Sequence, residues 1–173
     1  GCRLLNQKFR DGEKHKSIEG ATNPEMRFIC ACRIAALTQL SGKQKIWMGS
    51  DNVIIPENCI ETSDLCRGNE THNHQSIDIT EQVMFETLQT GLFNTAGRDV
   101  HGFSHQSYME FLAAYWINER LSMDQIRDIL FVKEGEKHLI VPSLKEVVVW
   151  LSGMKGDVFT IIAENEPELL LKS

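Results

Sequence analysis

Residues 103–116 join a short extended segment to a strongly patterned helix, and this junction constrains the fold more than any other part of the sequence. Four apolar or aromatic side chains recur at the i, i+3, i+4, i+7 spacing of one helical face: Tyr108, Phe111, Leu112 and Tyr115. Ser107 and Glu110 have the spacing of a capping box. The pattern predicts a long helix that is well buried on one face.

His105 lies where this predicted helix starts. The first turn of a helix carries unpaired backbone N–H groups and the positive end of the helix dipole, so a histidine there can help to hold an anion such as phosphate. The same histidine can also be purely structural, with its ring satisfied by a backbone carbonyl, and the residues alone favour this plainer interpretation. Both interpretations stay open at this point.

The sequence before this junction predicts a helix followed directly by a β-hairpin. Residues 78–89 carry four apolar positions on a less cleanly amphipathic helix: Ile79, Val83, Phe85 and Leu88. Apolar residues at 92–93 and 100–103 flank the turn-rich segment 94–99, which predicts a hairpin with a flexible tip.

An earlier helix and a short strand complete the outline. Asn23 and Pro24 supply an N-cap and a first-turn proline, an apolar stripe follows to Leu40, and Gly42 ends the helix. Residues 46–48 read as a short strand, and 45–76 is otherwise the least predictable region. This order, in which one helix is followed by a second helix that leads into a hairpin, is the outline of a winged-helix domain.

The pattern changes after this point to short capped helices in series. Ser122 with Gln125 and Ser143 with Glu146 each predict a helix start, and a further helix covers residues 158–163. A series of this kind indicates the start of a helical array. The predicted fold is therefore mainly α, with a winged-helix domain and its small β-hairpin wing at residues 1–120 and a superhelical start at 121–173.

Composition narrows the classes of partner. A formal net charge of -6 and an isoelectric point of about 5.5 leave no basic surface for a phosphate backbone, which disfavours nucleic acid. An odd count of five cysteines with no framework spacing indicates free thiols and a cytoplasmic location. The sequence has no apolar run near the roughly 20 residues of a membrane-spanning helix, so no membrane partner is expected.

Motifs for independent chemistry are absent from the sequence. It contains no phosphate-binding loop with lysine, no G-x-S-x-G elbow and no H-E-x-x-H pair, so no catalytic residue is predicted in this segment. Two loose groups contain metal-ligand types, namely His101 with His105, and Cys59, Cys66, His72 and His74. Neither has the spacing of a common zinc module, and a solvated polar loop with buried thiols is the favoured interpretation.

The segment 103–115 nevertheless resembles a known family. It matches the F-x-H-x-[ST]-[FY]-x-E-[FY]-[LF]-A-A motif of NACHT-type proteins, which belong to the STAND class of signal-transducing NTPases and include bacterial NLR-like members. Residues 33–36, 41–42 and 88–93 are similar to the winged-helix part of bacterial members. Residues 141–142, 150–151 and 164–170 are similar to the helical region that follows it.

The resemblance implies a role in nucleotide sensing. In that family the motif histidine contacts the β-phosphate of ADP bound in the neighbouring NTPase core, and carried over to this sequence the role falls on His105. The ADP or ATP, with Mg in the intact ATPase, is then bound mainly by residues outside this segment, in a core expected before Gly1. The implied partners are that core, further copies of the activated protein and a protein trigger, in prokaryotic antiphage defence.

Two alternative functions stay open. A DNA-binding winged-helix regulator needs a basic recognition helix, whereas residues 78–89 contain Asp78, Glu81 and Glu86 and no lysine or arginine. The other alternative is a purely structural helical scaffold with no nucleotide role.

Overall fold

The computed structural model describes residues 22–49, 54–72 and 75–171, so Cys2 and His74 lie outside the described residues. The α-helices in this part of the chain are α1 (Pro24–Leu40), α2 (Thr62–Leu65), α3 (Glu81–Leu88), α4 (Gln106–Arg120), α5 (Met123–Leu130), α6 (Lys145–Ser152) and α7 (Gly156–Asn165). The strands are β1 (Lys45–Trp47), β2 (Cys59–Glu61), β3 (Asn69–His72), β4 (Gln75–Asp78), β5 (Phe93–Gly97), β6 (Val100–Phe103), β7 (Phe131–Glu134) and β8 (Lys137–Ile140). Short 3-10 helices cover Pro142–Leu144 and Pro167–Leu171. The fold is mixed α/β with helix predominating.

Helix α1 begins and ends where the sequence predicts. The Asn23 side chain accepts a hydrogen bond from the backbone N–H of Glu25 at 2.9 Å, and Pro24 occupies the first helical turn. The chain leaves the helix through Ser41 and then Gly42, whose φ of +68° suits a residue without a Cβ. The prediction of this helix is confirmed.

Four strands form the main sheet, in the order β2, β1, β6, β5. Strand β1 is parallel to β2 and antiparallel to β6, and β5 and β6 form the predicted hairpin. The tip of the hairpin is shorter than predicted, because β5 continues to Gly97 and only Arg98 and Asp99 turn the chain. Asp99 has a φ of 56°, a conformation that Asp tolerates better than most residues.

Helix α3 is shorter than the helix predicted at residues 78–89. Asp78 belongs to β4, and Thr80 is the N-cap, accepting from the N–H of Val83 at 3.3 Å. Phe85, which the pattern placed on the apolar face, is 52% exposed. The prediction was wrong at this start because a polar strand precedes the threonine cap.

Helix α4 is the long helix predicted after the hairpin, and it packs against α1 and α6. Leu112 and Ile117 are fully buried in it, and the ring of Phe111 lies edge-on to Trp150 of α6 at 5.4 Å. The capping box predicted at Ser107 and Glu110 is wrong. The helix starts earlier, so Ser107 already lies within its first turn.

The region after α4 is less uniformly helical than predicted. Ser122 and Gln125 form the predicted capping box of α5, but a hairpin of β7 and β8 separates α5 from α6. A 3-10 turn that includes Ser143 precedes α6, which has no side-chain cap. Buried apolar side chains from α1 to α7 nevertheless form one cluster, which extends across the domain boundary predicted after residue 120. That boundary stays a prediction.

The described helices differ in length and in apolar character. None of those in residues 22–49, 54–72 and 75–171 combines the length and the apolar character that a membrane crossing requires.

Candidate functional site

His105 is the N-cap residue of α4, directly after the hairpin. Its backbone is extended, with φ of −140° and ψ of 134°, and its carbonyl accepts from the N–H of Tyr108 at 3.1 Å. The side chain is exposed and makes no capping hydrogen bond, and its ring lies edge-on to that of Tyr108 at 4.9 Å. The imidazole therefore faces solvent beside the positive end of a helix.

The position of His105 is fixed from the hairpin side. The backbone N–H of Ser104 donates to the carbonyl of Leu92 at 2.8 Å, and its hydroxyl lies 3.3 Å from the carbonyl oxygen of Gly91. The rings of Phe93 and Phe103 contact each other across the hairpin, with centroids 4.4 Å apart and planes tilted by 41°. These contacts tie the start of α4 to the end of α3, so His105 is held at a junction of three elements.

Glu110 lies within α4, slightly more than one turn after His105, and is 9% exposed. Burial raises the pKa of its carboxyl; the hydrogen bond with the Gln106 side chain opposes the rise, and the negative charge of Glu146 in α6 adds to it. The buried acid of the sequence motif therefore faces a second carboxylate across the α4–α6 contact.

Replacing Glu110 with Gln is expected to weaken the dependence of stability on pH. Because the folded state raises the pKa, it binds this proton more tightly than the unfolded chain. The stabilisation that comes from the protonated Glu110 side chain is fully present at pH values below the ordinary carboxyl pKa. It is lost as the pH rises through the raised pKa of the folded state. Urea unfolding measured from acidic to neutral pH should therefore show a smaller loss of stability in Glu110→Gln than in the wild-type chain.

Glu119→Gln is the matched control, since Glu119 lies on the same helix and is exposed. Parallel pH profiles for the wild-type chain and Glu110→Gln would contradict the assignment of the raised pKa to Glu110.

The acidic side of α3 is tied to the start of α1. Glu86 accepts hydrogen bonds from the backbone N–H and the hydroxyl of Thr22 at 2.8 and 2.6 Å, and pairs with Arg27 at 3.4 Å. Burial alone would raise the pKa of Glu86, but the hydrogen bonds from Thr22 and Gln82 and the charge of Arg27 lower it overall. The carboxylate of Glu86 therefore stays ionised at neutral pH.

A buried ionic cluster centres on Glu70 of β3, which is 3% exposed. Its carboxylate pairs with Arg33 of α1 at 2.7 Å and with Arg120 of α4, and accepts from Nε1 of Trp116 at 3.2 Å. No pattern in the sequence predicts this cluster. Its members come from three segments that are distant along the chain, and Glu70 lies in a polar stretch with no local pattern to single it out.

The residues considered as metal ligands lie in different environments. Cys59 is buried in a small cluster with Trp47 and Val100, and burial raises the pKa of the half-buried Cys66 thiol. His72 pairs with Glu25 at 3.3 Å. Within residues 22–49, 54–72 and 75–171, no three histidine, cysteine or acidic side chains come together as a metal site.

His101 and Cys30 occupy positions that suit structural roles. His101 is half-buried in β6, between Ile46 of β1 and Thr95 of β5 in the ladder. Cys30 is fully buried, and burial raises the pKa of its thiol to about 12. A thiol with such a pKa is not a nucleophile at neutral pH.

Comparisons with known proteins give no match to set beside this geometry. No protein-family model matches the chain, and neither the search of curated proteins nor that of solved structures finds a significant similarity.

Proposed function

We propose that this chain is the winged-helix regulatory segment of a NACHT-type STAND NTPase, with the start of the helical domain that follows it. In this proposal the segment has no catalytic residue of its own and acts in the cytoplasm. It couples ADP or ATP bound in a neighbouring NTPase core to opening and oligomerisation of the protein, in prokaryotic antiphage defence.

The order of the elements supports the winged-helix part. Helix α1 is followed by β1, then by α2 and α3, and then by the β5–β6 hairpin, with β1 antiparallel to β6. Three helices and a three-stranded sheet in this order are the plan of a winged helix, in which β5 and β6 form the wing. Strands β2, β3 and β4 are additions to that plan.

The observation that carries the proposal is the exposure of His105 at the N-cap of α4, directly after the wing and within the matched motif. An imidazole N–H and the first-turn N–H groups can donate to a phosphate oxygen brought by another domain. A contact of this kind is made only while the two domains are apposed. Because the contact exists in the closed conformation alone, it shifts the equilibrium toward that conformation when ADP is bound.

The surface of α3 argues against a DNA-binding role for the same fold. Its outward side chains include Glu81 and Phe85, and the helix carries no lysine or arginine. A helix without cations gains no counterion release from a duplex and repels its phosphates.

His105→Ala in the full-length protein is expected to weaken ADP binding by about 10- to 100-fold, the contribution of a hydrogen bond to a charged group. The purified variant should retain less ADP and show a higher basal activity. Calorimetric titration of ADP and quantification of co-purified nucleotide measure the two effects.

His101→Ala is the matched control, because His101 lies four residues earlier and within the sheet. It should bind ADP as the wild type does. Unchanged ADP occupancy and unchanged basal activity in His105→Ala would overturn the proposal, and no ADP binding by the wild type would favour the structural scaffold instead.

A further inference from the structure

Residues 66–72 and 75–78, here called the strap, connect α2 to α3 and contain strands β3 and β4. Leu65 before the strap and Ile79 after it are buried, so both ends are anchored in the core. Among the side chains described within the strap, Glu70 is the one that is buried, and Cys66 and Ile77 are half-buried against the core. The middle of the strap is therefore attached to the helices mainly through polar contacts.

The groups that hold Glu70 lie on the two helices beneath the strap. Arg33 reaches it from α1, while Trp116 and Arg120 reach it from α4. The Arg120 guanidinium also lies 5.5 Å from the centroid of the Trp116 ring, which holds both side chains in position. Two guanidinium groups and an indole N–H thus converge on one carboxylate.

The remaining donors of the two arginines also bind the strap and its anchor. Nε of Arg33 donates to the carbonyl of Leu65 at 2.8 Å, and its Nη2 donates to the carbonyl of Arg67. Nη2 of Arg120 lies 3.3 Å from the carbonyl oxygen of Thr71. Within this cluster all the donors therefore belong to α1 and α4, and all the acceptors belong to the strap or to Leu65. Outside the cluster, His72 of the strap also pairs with Glu25 of α1 at 3.3 Å.

The hydrogen-bond donors of this cluster lie on the helices and the acceptors on the strap or at its anchor, as they would between a receptor and a bound ligand. Planar guanidinium groups match the geometry of a carboxylate, and such charge-assisted hydrogen bonds are the strongest polar contacts in proteins. The site has two formal positive charges against the single negative charge of Glu70. It would keep its affinity for a carboxylate if Glu70 were withdrawn.

We propose that Arg33, Trp116 and Arg120 form a carboxylate-binding site between α1 and α4, that Glu70 is its built-in occupant, and that the strap is released as a unit when Glu70 leaves. The ligand class is a carboxylate, either a small free one or an acidic side chain. The proposal does not depend on nucleotide sensing by His105.

The energetics favour release of the strap over collapse of the core. Removing one member of a buried ion pair leaves uncompensated charge, which is costly as long as water is excluded. Detaching the strap lets water reach the arginines and costs little apolar contact, since Cys66 and Ile77, which pack against the core, are only half-buried. Segments with few buried apolar contacts open at lower free energy than the core.

Hydrogen exchange on the wild-type chain and on Glu70→Ala tests the proposal. In the wild type, the strap amides should exchange through an opening that leaves α1 and α4 protected. In Glu70→Ala they should exchange about 100-fold faster, while the central amides of α1 and α4 change much less. Equal acceleration throughout the chain, or no acceleration in the strap, would overturn the proposal.

Acetate is the probe for the vacated site. Sodium acetate should slow strap exchange in Glu70→Ala in a saturable manner, whereas sodium chloride at the same ionic strength should not. Equal effects of the two salts, or no effect of acetate, would contradict a carboxylate site. An acidic peptide that acts at lower concentration than acetate would identify the ligand as an acidic side chain, and equal potency would identify it as the free carboxylate.

Two further variants keep the test decisive. Glu119→Ala removes an exposed carboxylate next to Arg120 and should leave strap exchange unchanged. If Glu70→Ala does not fold, Glu70→Gln retains the shape of the side chain without its charge. In the wild-type chain alone, the free energy of opening the strap must still be lower than the free energy of global unfolding. Equal values of these two free energies would overturn the proposal.

Discussion

Leu112→Ala lowers the free energy of unfolding by about 2–5 kcal/mol, the cost of truncating a buried leucine. Leu112 is 0% exposed and lies in α4, the helix that packs against both α1 and α6. Removing three of its carbon atoms leaves a cavity where these helices meet, because their backbones are held by neighbouring contacts and cannot close over it. Urea unfolding followed by circular dichroism measures the loss.

Leu112→Met and Phe159→Ala are the controls for this prediction. Methionine nearly conserves the side-chain volume and should cost less than about 1.5 kcal/mol. Phe159 is 49% exposed on α7, so its truncation should cost less than that of Leu112 although the residue is larger. A smaller loss in Leu112→Ala than in Phe159→Ala would show that α4 is not the centre of the core.

Gly49→Ala is expected to destabilise the fold by about 1–3 kcal/mol, the cost of forcing extra volume into a packed site. A Cβ at Gly49 would lie 2.1 Å from Cζ2 and 2.3 Å from Cε2 of Trp47, well inside contact distance. Trp47 is 4% exposed and packs with Cys59 and Val100, so its ring cannot move without opening that cluster. Thermal unfolding of the purified variant measures the effect.

Gly91→Ala provides the matched control. A Cβ at Gly91 meets nothing within 4 Å, and its backbone φ is not positive. That variant should unfold at nearly the wild-type temperature. Equal unfolding temperatures for Gly49→Ala and the wild type would contradict the close approach of the Trp47 ring to the backbone of Gly49.

The elements that the sequence predicted well are those with strong local signals. The Asn23–Pro24 cap, the Ser122–Gln125 capping box and the apolar stripe of α4 each depend on residues within one or two turns. The β5–β6 hairpin was equally visible, because apolar pairs flank a run of turn residues. The fold of these parts follows from neighbouring residues.

The β3–β4 and β7–β8 hairpins, which were not predicted, have weaker local patterns in the sequence. Strands β3 and β4 consist mostly of polar residues, so no alternation of apolar side chains marks them. The turn between β7 and β8 did carry a sequence signal, since Gly135 is flanked by charged residues and glycine readily adopts the positive φ of +64° found there. Predicting a series of helices there gave too much weight to the caps on either side.

The candidate site was predictable in one part and hidden in another. His105 could be placed at a helix start from the pattern around it, although its exposure could not be read from the sequence. Glu70 gave no signal, because Arg33, Trp116 and Arg120 reach it only after α1 and α4 have packed together. Local patterns specify elements, whereas buried polar clusters depend on tertiary structure.

We propose that His105 senses the β-phosphate of a nucleotide held by a neighbouring core. The most direct measurement compares the affinities of the full-length wild type and His105→Ala for ADP and for AMP, which lacks that phosphate. We expect the substitution to weaken ADP binding by about 10- to 100-fold and to leave AMP binding unchanged. Equal losses for the two nucleotides, or no loss for either, would contradict it.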